Sequence, residues 1–354
     1  MPGVPRSNRA TFPTRLFFRV VLAGVCAQPA LASAAECASR GGFSPCFDAN
    51  ALWLPAGRAS FLSMPDTQLN PPKRIAFGVA GELLHRPLVL HAASPDRDGR
   101  DVHVLDYALD VSYFVSFGFA RNFELSALAS TRAYQSGAGA SGVTSQSAPP
   151  LQHNAVRDPR IGIAYSFADA FSSSGFGLRL GLDATLPIGD RSAFANERSF
   201  VAMPNATLGY RRSIVHLSAE LGLKLRRAVD FGGVTLGNQG FVALGVAVDI
   251  LPSGWLTLSA EAFGLPPLSS NRGRAASPLV SDVRLFPAEW LAGVHSSFGS
   301  SGVWTVSLAA GSGIPLSGET RANSLGSQTS QFMGPSTPDF RSLVVVRFAA
   351  LEDH

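Results

Sequence analysis

The sequence predicts an all-β protein, a twelve-stranded antiparallel transmembrane β-barrel with short turns at one end and long loops at the other. Three observations carry this. Apolar residues recur at every second position over runs of nine or more residues. Short and long connections alternate along the chain. Aromatic residues gather beside the short connections.

The run "IVHLSAELGLKLRR" (214–227) shows the first feature. Val215, Leu217, Ala219, Leu221, Leu223 and Leu225 hold one parity; His216, Ser218, Glu220, Gly222, Lys224 and Arg226 hold the other. A strand sends alternate side chains to opposite faces, whereas a helix would scatter these residues round its circumference. Twelve such segments lie near 74–84, 102–118, 123–134, 158–168, 176–187, 204–212, 214–226, 239–251, 255–265, 287–298, 303–313 and 339–349. Most exceed the five or six residues of an ordinary strand. About ten tilted residues cross a bilayer's hydrocarbon layer.

The links after the second, fourth, sixth, eighth and tenth segments are "ARN", "ADAFSSSG", "RS", "PSG" and "GSSG". Gly, Ser, Pro and Asn suit tight turns. Other links are long, including "YQSGAGASGVTSQSAPPLQHNAVR" and "PLSGETRANSLGSQTSQFMGPSTP". That alternation matches outer-membrane barrels, with short periplasmic turns and longer outer loops. Phe117, Phe119, Phe123, Phe167, Phe171, Phe176, Trp255, Phe298 and Trp304 flank the short links. Rings prefer headgroup depth, so they form one expected interfacial girdle. A soluble β-sandwich binding protein in the periplasm is the competing fold. It would not place Gly, Ser and Ala among isolated charges on the second parity. An open sheet edge in lipid would leave amides without partners, so the sheet must close. An even strand count puts both termini at the short-turn end, and the last strand ends on Phe348, as barrel-insertion signals do.

Composition narrows the function. The chain has 354 residues, 46% hydrophobic and 15% charged, with net charge +4. The basic residues are scattered, which excludes a nucleic-acid footprint. Residues 1–35 read as a signal peptide: Arg15 and Arg19, a short apolar run, then "ALASAA". Cleavage is expected within about two residues of Ala34. Residues 36–72 read as a periplasmic segment, folded against the barrel mouth or entering the lumen. Cys37 and Cys46 are expected to form a disulfide in the exported chain. The barrel spans 73–350.

The inward parity carries Asp106, Asp110, Glu124, Arg132, Arg179, Asp183, Arg211, His216, Glu220, Lys224 and Arg226. It continues with Asp249, Glu261, Glu289, His295, Arg341 and Arg347. Both signs are nearly balanced, giving either a polar conduit that selects solutes or a packed interior of ion pairs. Charges buried singly are costly, so pairing is expected in both cases.

"CFDANALWLPAG", "HRPLVLHAASPD", "VRDPRIGIAYSF", "DILPSGWLTLSAEA" and "PAEWLAGV" resemble the barrel region of OmpA-related outer-membrane proteins of myxobacterial type. More distantly, the pattern is similar to barrels described as solute transporters of aromatic-degradation pathways. The resemblance covers roughly 46–349 and implies an outer-membrane barrel. Members often carry a peptidoglycan-binding domain, and this chain is expected to lack one.

Catalytic readings are weak. His216 and Ser218 form an H-x-S pair faintly similar to outer-membrane phospholipases, but "HLSAE" lacks the following Asn-Gly and faces the lumen. "GAGASG" (137–142) matches a dinucleotide pattern without a helix to follow, so a flexible outer loop is expected. The histidines have no metal-ligand spacing. The expected protein is a non-enzymatic passive pore for small solutes or a structural envelope protein of the cell outer membrane. A lipid hydrolase using His216 and Ser218 is the first alternative. No cofactor or metal is expected. Outer-membrane lipids and the barrel-insertion machinery are the expected partners, small solutes the expected cargo.

Overall fold

The computed structural model describes residues 44–92, 100–142, 150–167, 175–231, 234–251, 255–268, 286–299, 302–314 and 337–350. Twelve long strands form one antiparallel sheet: β1 (Ile75–Ala92), β2 (Arg100–Ala120), β3 (Phe123–Ser136), β4 (Arg160–Ser166), β5 (Phe176–Thr185), β6 (Val201–Arg212), β7 (Val215–Lys224), β8 (Gln239–Asp249), β9 (Leu256–Gly264), β10 (Ala288–Phe298), β11 (Gly302–Gly313) and β12 (Phe340–Ala350). Each pairs with its sequence neighbour, and β1 closes on β12 from Ala76↔Ala349 to His85↔Phe340. The sheet is therefore a barrel, and a two-sheet sandwich is ruled out.

Each of the twelve expected segments overlaps one of these strands. The largest boundary difference is at β1, expected to end at 84 and observed to reach Ala92. Alternation breaks at His85, Arg86 and Pro87. Proline cannot donate to the ladder, so the strand bulges there, with Arg86 at φ 51, and then resumes. Three short strands have no counterpart in the sequence reading. One, Ala155–Val156, lies against β3; the others, Val229–Phe231 and Val234–Leu236, pair with each other between β7 and β8.

The outer face is apolar. Leu217, Leu221, Leu223 and Leu225 are 39–64% exposed, while His216, Glu220 and Lys224 between them are buried. A water-soluble protein would reverse that arrangement, since large exposed apolar patches are rare on soluble monomers. Lipid as the outer solvent resolves it.

Aromatic contacts mark one edge of the apolar band. Near the short-turn end Phe77, Trp304 and Phe348 meet at 5.0–6.1 Å, and Phe123–Tyr165 and Phe176–Tyr210 each at 4.6 Å. Toward the other end Tyr107, Tyr134, Trp290 and Phe340 are exposed. On β2, Tyr107 and Phe117 are separated by about ten residues at about 3.3 Å each; at a tilt near 40° they stand roughly 25 Å apart in height. That is the thickness of an outer-membrane apolar belt.

The lumen is occupied by the chain itself. Residues 44–74 run inside the barrel from the long-loop end to the short-turn end. Asp48 bridges Ala195 in the β5–β6 link, whereas Lys73 N donates to Gly118 O beside the β2–β3 turn. Of the two placements considered for the 36–72 segment, its described part enters the lumen, so it is not a separate periplasmic piece. The physical reason is the inner face, whose polar groups need partners once the barrel closes. Leu52, Leu54, Phe61, Leu62 and Met64 pack against Phe114, Phe241, Phe263, Leu291 and Leu343 to form the main core. The signal peptide, its cleavage point and Cys37 lie outside the described residues. Cys46, the other half of the expected disulfide, is buried near the long-loop end.

The wall is shaped for this plug. Gly118 faces the backbone oxygens of Asn70 and Pro71, which any Cβ there would strike, and Gly177 faces the Thr67 side chain in the same way. Gly118→Val is expected to loosen the lower end of the plug. Limited proteolysis should then cut near 70–74 in the folded variant and leave the wild type intact.

Candidate functional site in the lumen

The plug is held by inward side chains at successive depths. Near the long-loop end Phe47, Phe194 and Phe231 meet edge-on at 5.0–5.8 Å. Below them Arg157 binds Asp48 at 2.6 Å and Asp110 at 3.1 Å, and Arg132 binds Asp110 at 2.8 Å. Asn50 sits at the crossing of two networks. Its amide nitrogen donates to Glu82 at 2.8 Å and Asp110 at 3.1 Å, while its oxygen accepts from Arg341 at 3.0 Å. Arg341 grips Glu289 with two bonds of 2.7 and 3.0 Å and also pairs with Glu82. Every member but the half-buried Asp48 is buried, which is tolerable only because each charge meets its opposite.

Deeper still, Trp53 lies between two cations. The Arg160 guanidinium is 4.8 Å and the Lys224 ammonium 5.4 Å from its ring centre. Lys224 is fixed by Glu197 at 3.0 Å, which also takes Arg226 at 3.2 Å. Arg160 donates to Leu54 O, and Arg347 donates to Pro55 O and Ala59 O. Glu261 accepts from Leu62 N, Ser63 N and the Ser63 hydroxyl at 2.7–2.9 Å. Glu124 accepts from Asn70 N, and Ser166 donates to Thr67 O. The plug backbone, unable to bond within a sheet, bonds to the wall instead.

The predicted lumen residues therefore fall into three groups. Asp110, Glu124, Arg132, Lys224, Glu261, Glu289, Arg341 and Arg347 contact the plug directly or through one partner. Arg179, Asp183, Glu220, Arg226, His295, His216 and Asp249 contact the wall or line the remaining space. Asp106 and Arg211 sit at the rims. Asp106 is partly exposed beside Arg86 and His103, where β1 bulges, and Arg211 is 60% exposed near Asp249. Asp106 is a correction to an interior placement, because its strand continues past the depth at which the lumen is enclosed; Arg211, though exposed, lines the mouth at the short-turn end. His295 links Ser259 and Ser307 at 2.8 Å each, satisfying both ring nitrogens.

Sequence reasoning missed Glu82, whose place on the inward parity of "IAFGVAGELL" was readable. It also missed Asp48, Asn50, Arg157, Arg160, Asp158 and Glu197. All but Arg160 lie outside the long strands, where no periodicity marks them.

Glu197 lies in the β5–β6 link. Burial pushes its carboxyl up, but Lys224 and Arg226 outweigh this and hold it below the usual range. Asp158, between β3 and β4, accepts from Gly189 N, Asn196 Nδ2 and Glu197 N at 2.6–2.9 Å. Burial raises it from 3.8 to about 7, opposed by the Glu197 and Gly189 amides and reinforced by the charges of Asp48 and Glu197. The folded state thus holds this proton more tightly than the unfolded chain. Its contribution is fully present below about pH 4 and is lost as pH rises through about 7. Wild type should melt at lower temperature at about pH 8 than at about pH 5, and Asp158→Asn should shrink that difference.

His216 does not pair with Ser218. Its Nε2 lies 3.0 Å from Asp249, which also accepts from Thr257 at 2.6 Å, and no hydrogen bond joins it to Ser218. A nucleophile beside a base is therefore not formed at this pair. "GAGASG" makes a single 3-10 turn at Ala140–Gly142, with Ala138 N and Gly139 N bonded to β2, so these residues are docked on the strand and form no phosphate-binding helix end. Among the described residues, no group of three His, Cys, Asp or Glu is arranged to hold a metal ion.

Among the described residues, two consecutive spaces lie beside the plug. A polar vestibule of about 740 Å³ opens at the short-turn end, lined by Arg58, Asp66, Asn70, Arg121, Arg211 and His216 among others. Beyond it lies an inner space of about 40 Å³, lined by Trp53, Glu124, Arg160, Arg179, Asp183 and Glu220 among others.

The barrel is similar to an outer membrane channel from Pseudomonas putida F1, with a TM-score of 0.53 at 9% identity over 82% of this chain and 99% of that one. A NanC porin aligns at a TM-score of 0.42 and 9% identity, over 79% of this chain and all of that one. A Pseudomonas aeruginosa FadL homologue aligns at 0.34 and 10%, over 81% and 94% of the two chains. No family model and no curated protein matches the sequence. At these identities the likeness speaks to fold, and only the first is strong enough to carry that.

Proposed function

We propose that this chain is an outer-membrane β-barrel acting as a narrow passive pore for small polar solutes, throttled by its own residues 44–74. The short-turn end would face the periplasm. The observation that carries this reading is the polar space left beside the plug. A barrel built only as a wall would have no need of a charged vestibule continuing inward. The likeness to OmpA-related and aromatic-pathway barrels is compatible with this reading, and that resemblance stays at the level of strand and turn pattern. A purely structural envelope role is the second reading, favoured by how completely the plug is bonded. Purified protein in planar bilayers separates them. Small stepwise conductance is expected for the pore; silence of both wild type and a plug-loosened variant would leave the structural role. Hydrolysis of phospholipid, abolished in Ser218→Ala, would instead revive the enzymatic alternative.

A further inference from the structure

The vestibule and the inner space share Arg58, Asp66, Gln68 and Leu69 in their linings, so they are consecutive along one side of the plug. The side is that of β3–β7, and Trp53 with its two cations closes it above. Where the inner space meets the wall, three neighbouring strands place Arg179, Thr207 and Glu220 in register. All three are buried, and Arg179 Nε, Thr207 Oγ1 and Glu220 Oε2 have no hydrogen-bond partner. Buried polar atoms are rarely left so, and a row of three beside a cavity points to something polar passing or resting there. The space has room for roughly three waters.

We infer that Glu220 is the ion-selecting group of this residual conduit, favouring small inorganic cations over anions. This rests on the pore reading above. The inner space is lined by four carboxylates against three guanidiniums. Of the carboxylates, Asp66 is bonded to Ser60, Glu124 to Asn70 and Asp183 to Asn205. Among the described residues, Glu220 alone of the four makes no hydrogen bond. Two of the guanidiniums are engaged, Arg179 with Asn205 at 2.9 Å and Arg160 with Leu54 O and the Trp53 ring. The third, Arg58, lies in the field of Glu124, so the group left free to meet a permeating ion is Glu220, a carboxyl 2% exposed, whose ionised form a small cation in so narrow a passage would stabilise.

The test is the reversal potential across a KCl gradient, in wild type and in Glu220→Gln, with insertion checked by heat-dependent gel mobility. Wild type is expected to prefer K⁺, and Glu220→Gln to lower the K⁺/Cl⁻ permeability ratio by about threefold or more. Thr207→Val, which removes a polar atom at the same level without changing charge, should leave the ratio alone; a role in packing only would move conductance in both variants and the ratio in neither. If Glu220→Gln does not insert, Asp183→Asn reads the same quantity and should shift it in the same direction. A conducting wild type whose ratio is unmoved by these variants overturns the assignment and spares the pore. Silence of wild type and of Trp53→Ala overturns both.

Discussion

Trp53→Ala is expected to raise single-channel conductance several-fold while leaving the barrel inserted. The indole is the widest group of the plug at the depth where the inner space ends. Arg160 and Lys224 hold it from two sides, at 4.8 and 5.4 Å. Removing the ring opens the route upward and uncovers both cations, which Glu197 and Leu54 O still hold in place. Each such contact contributes about 0.5–2 kcal/mol, so the plug loses little of its total anchorage and the fold should persist. The two uncovered charges lie above Glu220, so the enlarged pore should also show weaker cation preference than the wild type. Trp53→Phe keeps an aromatic face and should fall between. Planar-bilayer recording of the three proteins checks the order, and equal conductance in all of them would show that the barrier lies elsewhere.

Arg341→Met is expected to destabilise the folded barrel by about 3–5 kcal/mol, the usual cost of removing one partner from a buried charge pair. The guanidinium is fully buried, neutralises Glu289 and Glu82, and holds Asn50 of the plug. Without it two carboxylates face each other's field with one amide between them. Replacing Arg341 and Glu289 together by Leu should recover part of the loss, because a buried pair exchanged for apolar groups is often near neutral, while Glu82 still lacks its cation. The temperature at which the heat-modified gel band appears, and the denaturant midpoint in detergent, report both changes. The double variant should also conduct more than wild type, since Asn50 is then held only by Glu82 and Asp110. A double variant no more stable than Arg341→Met would show that the pair is not an isolated unit.

The order and number of the long strands were legible because a barrel in lipid has a sharp rule: one parity must be apolar throughout. Val215 to Leu225 obeys it without exception, and so does most of β2. The inward set was legible for the same reason, Glu82 included had the parity of "IAFGVAGELL" been followed to its end. What escaped was set by contacts with no period. The first strand, expected to end near 84, runs on through a bulge at Arg86 and Pro87 to Ala92. Asp106 has inward parity, yet it lies where the barrel no longer encloses it.

The plug is the clearest case. "CFDANALWLPAG" shows neither alternation nor helical spacing, because its backbone partners are distant side chains: Arg347 for Pro55 and Ala59, and Glu261 for Leu62 and Ser63. Alternation in the sequence thus determined which residues meet lipid and which turn inward, since that choice is made one residue at a time. Only the tertiary structure decided which inward charges cancel, which one is left over, and how much of the lumen stays open. Those outcomes depend on groups up to 292 positions apart arriving at one depth.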